Sequence, residues 1–201
     1  MFDSVLQSNL RKKGYMVSVF DSKEEAVSYI TEETAGKSVG IGGSVTVQEM
    51  GLYEKLREQG DVYWHWCTEE NSTVEDVRRA AASAQIYISS VNGIAETGEI
   101  VNIDGTGNRI ASTIYGHEKV IFVIGRNKVA KDLAGAISRA KNIASPKNAQ
   151  RLHCKLPCAV KGDKCYNCES PNKICRVTSV FDTSPFGAEY EIVLINEDLG
   201  Y

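Results

Sequence analysis

Lys119-Val-Ile-Phe-Val-Ile-Gly125 is the clearest indication of architecture in this chain, because five apolar residues follow one another between a lysine and a glycine. A short apolar run without alternation is typical of a strand that is buried on both faces. Such strands belong to parallel sheets whose two faces are covered by helices. The stretch therefore predicts the centre of a helix-covered sheet.

Helix and strand signals alternate on both sides of this stretch. Strands are predicted at 15–20, 37–41, 61–66, 85–90, 99–103 and 189–195, and helices at 4–13, 45–59 and 74–84. Asp21 and Glu24 form a capping signature for a further helix that ends near Glu33. Apolar residues at helical spacing follow the central stretch, at Val129, Leu133, Ile137, Ala140 and Ile143. This alternation predicts an α/β fold with a mostly parallel sheet.

The composition is that of an ordinary globular domain. The 201 residues carry 23 Lys+Arg against 26 Asp+Glu, a net charge of −3, which gives no reason to expect nucleic acid as a partner. The start is not a signal peptide, and no apolar run approaches the length of a membrane span. We expect one domain over residues 1–201, located in the cytoplasm and without membrane contact.

Five of the six cysteines lie close together near the end of the chain. They are Cys154, Cys158, Cys165, Cys168 and Cys175. Thiolates at this density are typical ligands of zinc and of iron–sulfur clusters. The surrounding stretch 146–176 has seven Lys/Arg against two Asp/Glu, which would offset the negative charge of a thiolate site. We expect the metal ligands to be Cys158, Cys165, Cys168 and Cys175, with Cys154 as the alternative ligand.

Two other interpretations of the cysteines stay open. Disulfides would require an oxidising compartment, for which the N-terminus gives no signal. Redox-active thiols are the second alternative, with Cys165 and Cys168 as the exchanging pair. Residues 152–188 also lack helical or strand periodicity. A structureless loop of this length is unusual in a compact domain, and metal ligation at about 152–178 would supply the missing order.

A glycine turn is predicted to follow the strand at 37–41. Gly42, Gly43, Ser44 and Thr46 stand where this strand passes into a helix, with Ser44 as N-cap. Backbone N–H groups at such a turn favour an anion, although a tight strand-to-helix connection explains the glycines equally well. The turn lacks the patterns of NAD-binding and ATP-binding loops.

A polar run extends from Ser90 to Arg109. Asn92, Asp104, Asn108 and Arg109 are candidate ligand-binding residues, and Glu96 is the candidate nucleophile or general base. Arg109 would hold a carboxylate or phosphate through a bidentate contact. Turn and capping roles explain most of these residues equally well. Further anion donors are Asn127, Lys128, Lys147, Asn148 and Arg151.

These segments resemble the LUD-domain (lactate-utilization) family, formerly DUF162. The similarity is carried by 40–52 (GIGGSVTVQEMGL), 89–109, 120–128 (VIFVIGRNK), 143–152 (IASPKNAQRL), the cysteine segment and 196–201 (NEDLGY). The cysteine pattern is similar to that of a subset of short, stand-alone members. The resemblance implies a Rossmann-like three-layer α/β/α fold of the NagB/RpiA/CoA-transferase type.

The resemblance also implies a link to the oxidation of L-lactate to pyruvate. Three functions follow as alternatives: an auxiliary or redox subunit with an iron–sulfur or zinc site, a free-standing transferase or isomerase of an anionic metabolite, and a regulatory binding module with a structural metal. A small anionic metabolite is the expected ligand. Iron–sulfur partner subunits or a second copy of the chain are the expected macromolecular partners.

Overall fold

The computed structural model describes residues 2–201. Its strands are β1 (Met16–Phe20), β2 (Val39–Ile41), β3 (Val62–Trp64), β4 (Ile86–Ser89), β5 (Gly93–Ala95), β6 (Ile100–Asp104), β7 (Lys119–Gly125), β8 (Val129–Ala130), β9 (Val177–Phe181) and β10 (Glu189–Ile195). Its α-helices are α1 (Ser4–Lys12), α2 (Lys23–Glu33), α3 (Val45–Glu49), α4 (Leu52–Arg57), α5 (Val74–Ala82), α6 (Asn108–Ile114), α7 (Leu133–Arg139), α8 (Ser145–Arg151) and α9 (Pro157–Lys161). No helix in the described part is long and apolar enough to cross a bilayer.

The larger sheet has six strands in the order β1–β10–β7–β4–β2–β3. Every neighbouring pair in it is parallel. Strand β7 lies between β10 and β4, and all seven of its residues are buried. The predicted central strand and the mostly parallel sheet are confirmed.

The side chains of β7 alternate between the two faces of this sheet. Ile121 and Val123 pack in a cluster with α2, α3 and α4. Val120, Phe122 and Ile124 pack in a second cluster that includes α1. Burying one such side chain contributes about 1.5–3 kcal/mol, so both faces must be covered. The three-layer α/β/α arrangement is confirmed.

A second, smaller sheet extends the layer on the α1 side. Its order is β8–β5–β6–β9, with β6 antiparallel to both β5 and β9. Ile94, Ile100 and Phe181 turn towards Phe122 of the larger sheet. The opposite face packs against α7 through Ala95, Val101 and Ala136, among others. The sequence predicted only β6 of these strands, because β5 and β8 are short and β9 is mostly exposed.

The predicted single helix over 45–59 is wrong. The segment forms α3 and α4, which are separated at Gly51 with φ +64°. This left-handed conformation is open to glycine and ends the helical path. The cap of α2 also differs by one residue, since the Ser22 hydroxyl, rather than Asp21, accepts the N–H of Glu25.

One turn of π-helix joins α7 to α8. It spans Ala140–Ala144, and the N–H of Ser145 bonds the carbonyl of Ala140 five residues earlier. A π-turn holds one more residue than an α-turn, so it changes the direction in which the following helix presents its side chains. Asn148 and Arg151 of α8 depend on this offset for their position.

A buried ion cluster lies at the start of β7 and β10. Lys119 Nζ lies 2.8 Å from Glu191, 2.7 Å from Glu189 and 3.1 Å from Glu33. The other carboxylate oxygen of Glu191 accepts from the hydroxyls of Ser18 and Tyr29. Burial alone would lower the pKa of Lys119, but the three carboxylates overcome it and raise the pKa. The lysine is therefore a cation that neutralises a buried carboxylate.

We predict that Lys119→Met destabilises the fold by about 3–5 kcal/mol, because it leaves the Glu191 carboxylate buried without its cation. Lys37→Met is the matched control, since Lys37 forms an exposed pair with Glu118 and its loss should cost about 0.5 kcal/mol. Urea unfolding measures both variants. Equal destabilisation of the two would contradict the role given to the cluster.

Candidate functional site

A cavity of about 410 Å³ opens at the carboxyl ends of the parallel strands. The connections that follow β2, β3, β4 and β7 all contribute to its wall, as expected for ligand sites of open α/β sheets. Helices α5 and α8, the β6–α6 connection and Tyr201 complete the wall. Its polar and aromatic lining residues are Ser44, Thr46, His65, Trp66, Arg78, Ser90, Asn92, Asp104, Thr106, Asn108, Arg109, Lys128, Ser145, Asn148, Arg151 and Tyr201.

The glycine turn forms one side of this cavity. Gly43, Ser44 and Thr46 line it, whereas Gly42 lies just behind. A Cβ atom on Gly42 would come within 3.0 Å of Arg109 and Tyr87, and one on Gly43 within 3.3 Å of the Trp66 ring. The Ser44 hydroxyl accepts the N–H of Val47 and so caps α3 as predicted. Close packing therefore disfavours a side chain at either position, independently of any ligand.

Arg109 is buried behind the cavity wall and holds it together through hydrogen bonds. Its guanidinium donates to the carbonyls of Ser90 and Ile103 and to the side-chain oxygens of Asn92 and Asn102. Burial lowers the pKa of Arg109, and Asp104 opposes this effect. The bidentate contact of Arg109 with a ligand stays a prediction. It would require the guanidinium to exchange protein acceptors for ligand oxygens.

Asp104, Asn92 and Asn108 also lie at the cavity. One oxygen of Asp104 accepts the N–H groups of Arg109 and Ile110, so this carboxylate caps α6. The Asn92 side-chain oxygen accepts from Ile103 N and from Arg109, which leaves its amide NH₂ as the group for a ligand. The polar run thus stabilises the cavity wall and also lines the cavity. The ligand-binding roles of its residues stay predictions.

Glu96 lies away from the cavity. It is an exposed residue in the turn between β5 and β6, where its N–H bonds Ala130 and its carbonyl accepts from Asn9 of α1. Glu96, the candidate nucleophile or general base, therefore does not line the cavity that Gly43 and Ser44 border. Strand β5 belongs to the smaller sheet, so the turn that follows it is directed towards α1.

Seven polar or aromatic lining residues were missing from the predicted site: His65, Trp66, Arg78, Ser90, Thr106, Ser145 and Tyr201. The first two follow β3 directly, so the rule that ligands bind at carboxyl strand ends points to them. Arg78 is on α5, where a lysine or arginine ordinarily indicates a solvated helix face. Tyr201 carries no sequence signal of its own.

Positive charge dominates the cavity wall. Arg78, Arg109 and Arg151 carry cationic groups, and Asp104 is the one lining carboxylate side chain within the part of the chain that the structure describes. The guanidinium of Arg151 lies 4.4 Å from the centre of the Trp66 ring and donates to Asn148 and to the Tyr201 hydroxyl. The Nε of Arg78 is buried without a hydrogen-bond partner among the described residues. This wall favours an anion.

The pKa values of His65 and Lys128 are both lowered. Burial lowers the pKa of His65 to about 4, with Arg78 adding to the effect, so the ring is neutral at pH 7. Burial also lowers the pKa of Lys128 well below its usual value, and Arg139 and Arg109 act in the same direction against Glu49. Titratable groups shifted in this way occur often at functional sites.

The cysteine segment folds beside the same cavity. Ile174 lines the cavity, Cys175 packs against Ile103 and Ala136 of the small-sheet core, and Arg176 N–H bonds the Asp104 carbonyl at 2.9 Å. All six cysteines are free thiols. No three His, Cys, Asp or Glu side chains in residues 2–201 stand at metal-binding distance.

Three other thiols of the segment act on Cys158. Burial raises the pKa of the Cys158 thiol, and Cys168, Cys165 and Cys175 in their thiolate forms raise it further. A cation would relieve this effect at Cys158, and thiolates are soft ligands that zinc and iron clusters accept. The donor set therefore fits a metal, and the metal site stays a prediction.

The fold and site define the class: a Rossmann-like α/β protein with a cationic cavity at the carboxyl edge of its sheet. The LUD domain model matches residues 4–195, so the chain belongs to the LUD domain family. A DUF162 family protein from Deinococcus radiodurans is similar in fold, with a TM-score of 0.56 and 10% identity over 95% of this chain and 94% of that one. A search of curated proteins finds no match.

We predict that His65 makes stability depend on pH. His65 has a pKa of 6.5 in the unfolded chain and of about 4 in the folded protein. Between these two values the unfolded state binds more protons than the folded state, so the free energy of unfolding falls as the pH decreases. After solvent screening of the half-buried ring, the loss should be about 1 kcal/mol. Urea unfolding of His65→Asn should show a flatter dependence. A slope equal to that of the unsubstituted protein would contradict the buried neutral ring.

Proposed function

We propose that the cavity binds a small organic-acid anion and that the chain acts as an auxiliary or redox subunit in the oxidation of L-lactate or a similar acid. The observation that carries the proposal is the convergence of Arg78, Arg109 and Arg151 on one cavity with a single carboxylate side chain among its described lining residues. Membership of the LUD domain family supports the link to lactate.

The dimensions and surface of the cavity support a ligand of metabolite size. A volume of about 410 Å³ lies in the range of small-molecule sites. Trp66 supplies an apolar wall, while Asn92 and Asn148 supply amide groups that orient a carboxylate or a hydroxyl. A 2-hydroxy acid presents these two polar groups next to a short apolar chain.

The proposal includes a metal centre in the cysteine segment, held by Cys158, Cys165, Cys168 and Cys175, with Cys154 as the alternative ligand. When bound, an iron–sulfur cluster would accept electrons, whereas zinc would only order the segment. Its support is the position of the segment, because Cys175 directly follows Ile174 in the cavity wall. Electron transfer would then require iron–sulfur partner subunits or a second copy of the chain.

We predict that anaerobically purified protein carries metal on these cysteines. Iron–sulfur loading should give broad visible absorbance near about 400 nm, and zinc should give colourless protein with about one metal per chain in elemental analysis. The double variant Cys165→Ser/Cys168→Ser should lose the metal, while Cys67→Ser, outside the segment, should keep it. Metal-free protein from anaerobic cells would contradict this part of the proposal.

We predict that Arg78→Gln weakens the binding of L-lactate about 10-fold, because a charged hydrogen bond contributes about 1.5 kcal/mol. Arg79→Gln is the matched control, since Arg79 is the next residue of α5 and is 78% exposed, and its effect should be small. Isothermal titration calorimetry with lactate, pyruvate and acetate measures both. Absence of organic-acid binding, or equal losses in the two variants, would contradict the proposed site.

A further inference from the structure

Anion binding alone does not explain a buried polar cluster at the wall of the cavity. Lys128 Nζ lies 2.9 Å from the Ser90 hydroxyl oxygen, 2.7 Å from the Thr46 hydroxyl oxygen and 3.2 Å from the Val91 carbonyl. Lys128, Ser90 and Thr46 are all buried, yet all three line the cavity. No carboxylate is among the described groups that contact the lysine nitrogen.

The hydrogen bonds of this cluster join Lys128 to three oxygens. Lys128 Nζ donates to the hydroxyls of Thr46 and Ser90 and to the Val91 carbonyl, while Thr46 donates its own proton to the Leu199 carbonyl. When Lys128 loses the proton that faces Ser90, Thr46 and Val91 still accept its two remaining N–H groups, and its lone pair is directed at the Ser90 hydroxyl.

We propose that Ser90 is a nucleophile and Lys128 its general base, and that the site transfers or hydrolyses an acyl group carried by an anionic substrate. Only the anionic part of this substrate rests on the proposed function. The arrangement has the features of an activated nucleophile: a hydroxyl within hydrogen-bond reach of a base, and a base that Thr46 and Val91 hold in orientation.

The chemical step balances with groups present in the chain. Lys128 takes the Ser90 hydroxyl proton as the Ser90 Oγ forms a bond to the acyl carbon of an ester or thioester. The bond to the alcohol or thiol then breaks, and Lys128 returns the proton to this leaving group. Water, or a second alcohol or thiol, attacks the acyl-serine in the same way and releases Ser90 for the next cycle.

The electrostatic surroundings support a base at this position. Burial lowers the pKa of Lys128 first, Arg139 and Arg109 add to this effect, and Glu49 opposes it. Arg109 also fixes the Ser90 main chain, because it donates to the Ser90 carbonyl at 3.1 Å. A lysine that only joined the hydroxyls of Thr46 and Ser90 by hydrogen bonds would not need a lowered pKa, whereas a general base does.

The test uses phenylmethanesulfonyl fluoride on the full-length chain. Ser90 should form one sulfonyl adduct with loss of fluoride, located by mass spectrometry of the peptides, whereas Ser44 and Ser145 in the same cavity should stay free. Ser90→Ala should abolish the adduct, and Ser28→Ala, an exposed serine of α2, should leave the rate unchanged. Absence of the Ser90 adduct would overturn the proposal.

The role of the lysine is tested by two variants. Lys128→Met should slow the modification by about 100-fold or more, as expected for loss of a general base. Lys128→Arg places a guanidinium at this position that cannot take up a proton, and it should show the same loss, which covers the case that the methionine variant does not fold. An unchanged rate in folded Lys128→Arg would overturn the base. Because the reagent is uncharged, labelling of Ser90 and calorimetric binding of lactate test the two proposals separately, and Arg79→Gln, on the exposed side of α5, should change neither.

Discussion

Burial of β7 on both faces is the constraint on which the remaining architecture depends. Alternate side chains of this strand need partners above and below the sheet, which α2–α4 supply on one side and α1 with the smaller sheet on the other. Parallel pairing with β10 and β4 then directs the ends of these strands towards one edge. The cavity forms there because connections rather than side-chain packing occupy that edge.

A second constraint acts through Arg109. A buried guanidinium must be surrounded by acceptors, since an unpaired charge away from water is strongly destabilising. Asn92, Asn102 and two backbone carbonyls meet this need, and they connect β6 and α6 to the connection after β4. The polar run from Ser90 to Arg109 therefore serves largely to support the cavity wall from inside the protein.

The sequence predicted the architecture well because apolar periodicity reports which faces are buried. Seven-residue β7 and β10 were found for this reason. The smaller sheet was missed except for β6, since strands as short as β5 and β8 receive their order from tertiary pairing. The site was found in part: strand ends led to Ser44, Thr46 and Asn92, whereas Glu96 was misplaced because the sheet to which β5 belongs is not encoded locally. Arg78 comes from a helix across the fold, which no local pattern indicates.

The π-turn at Ala140–Ala144 sets the direction in which α8 faces the cavity. Removal of one residue there would restore continuous α-helical winding and rotate α8 by about 100° about its axis. Asn148 and Arg151 would then leave the cavity, and Arg151 would lose its stacking on Trp66. A single-codon deletion in this segment would therefore rebuild one wall of the cavity without substituting any of the residues that line it.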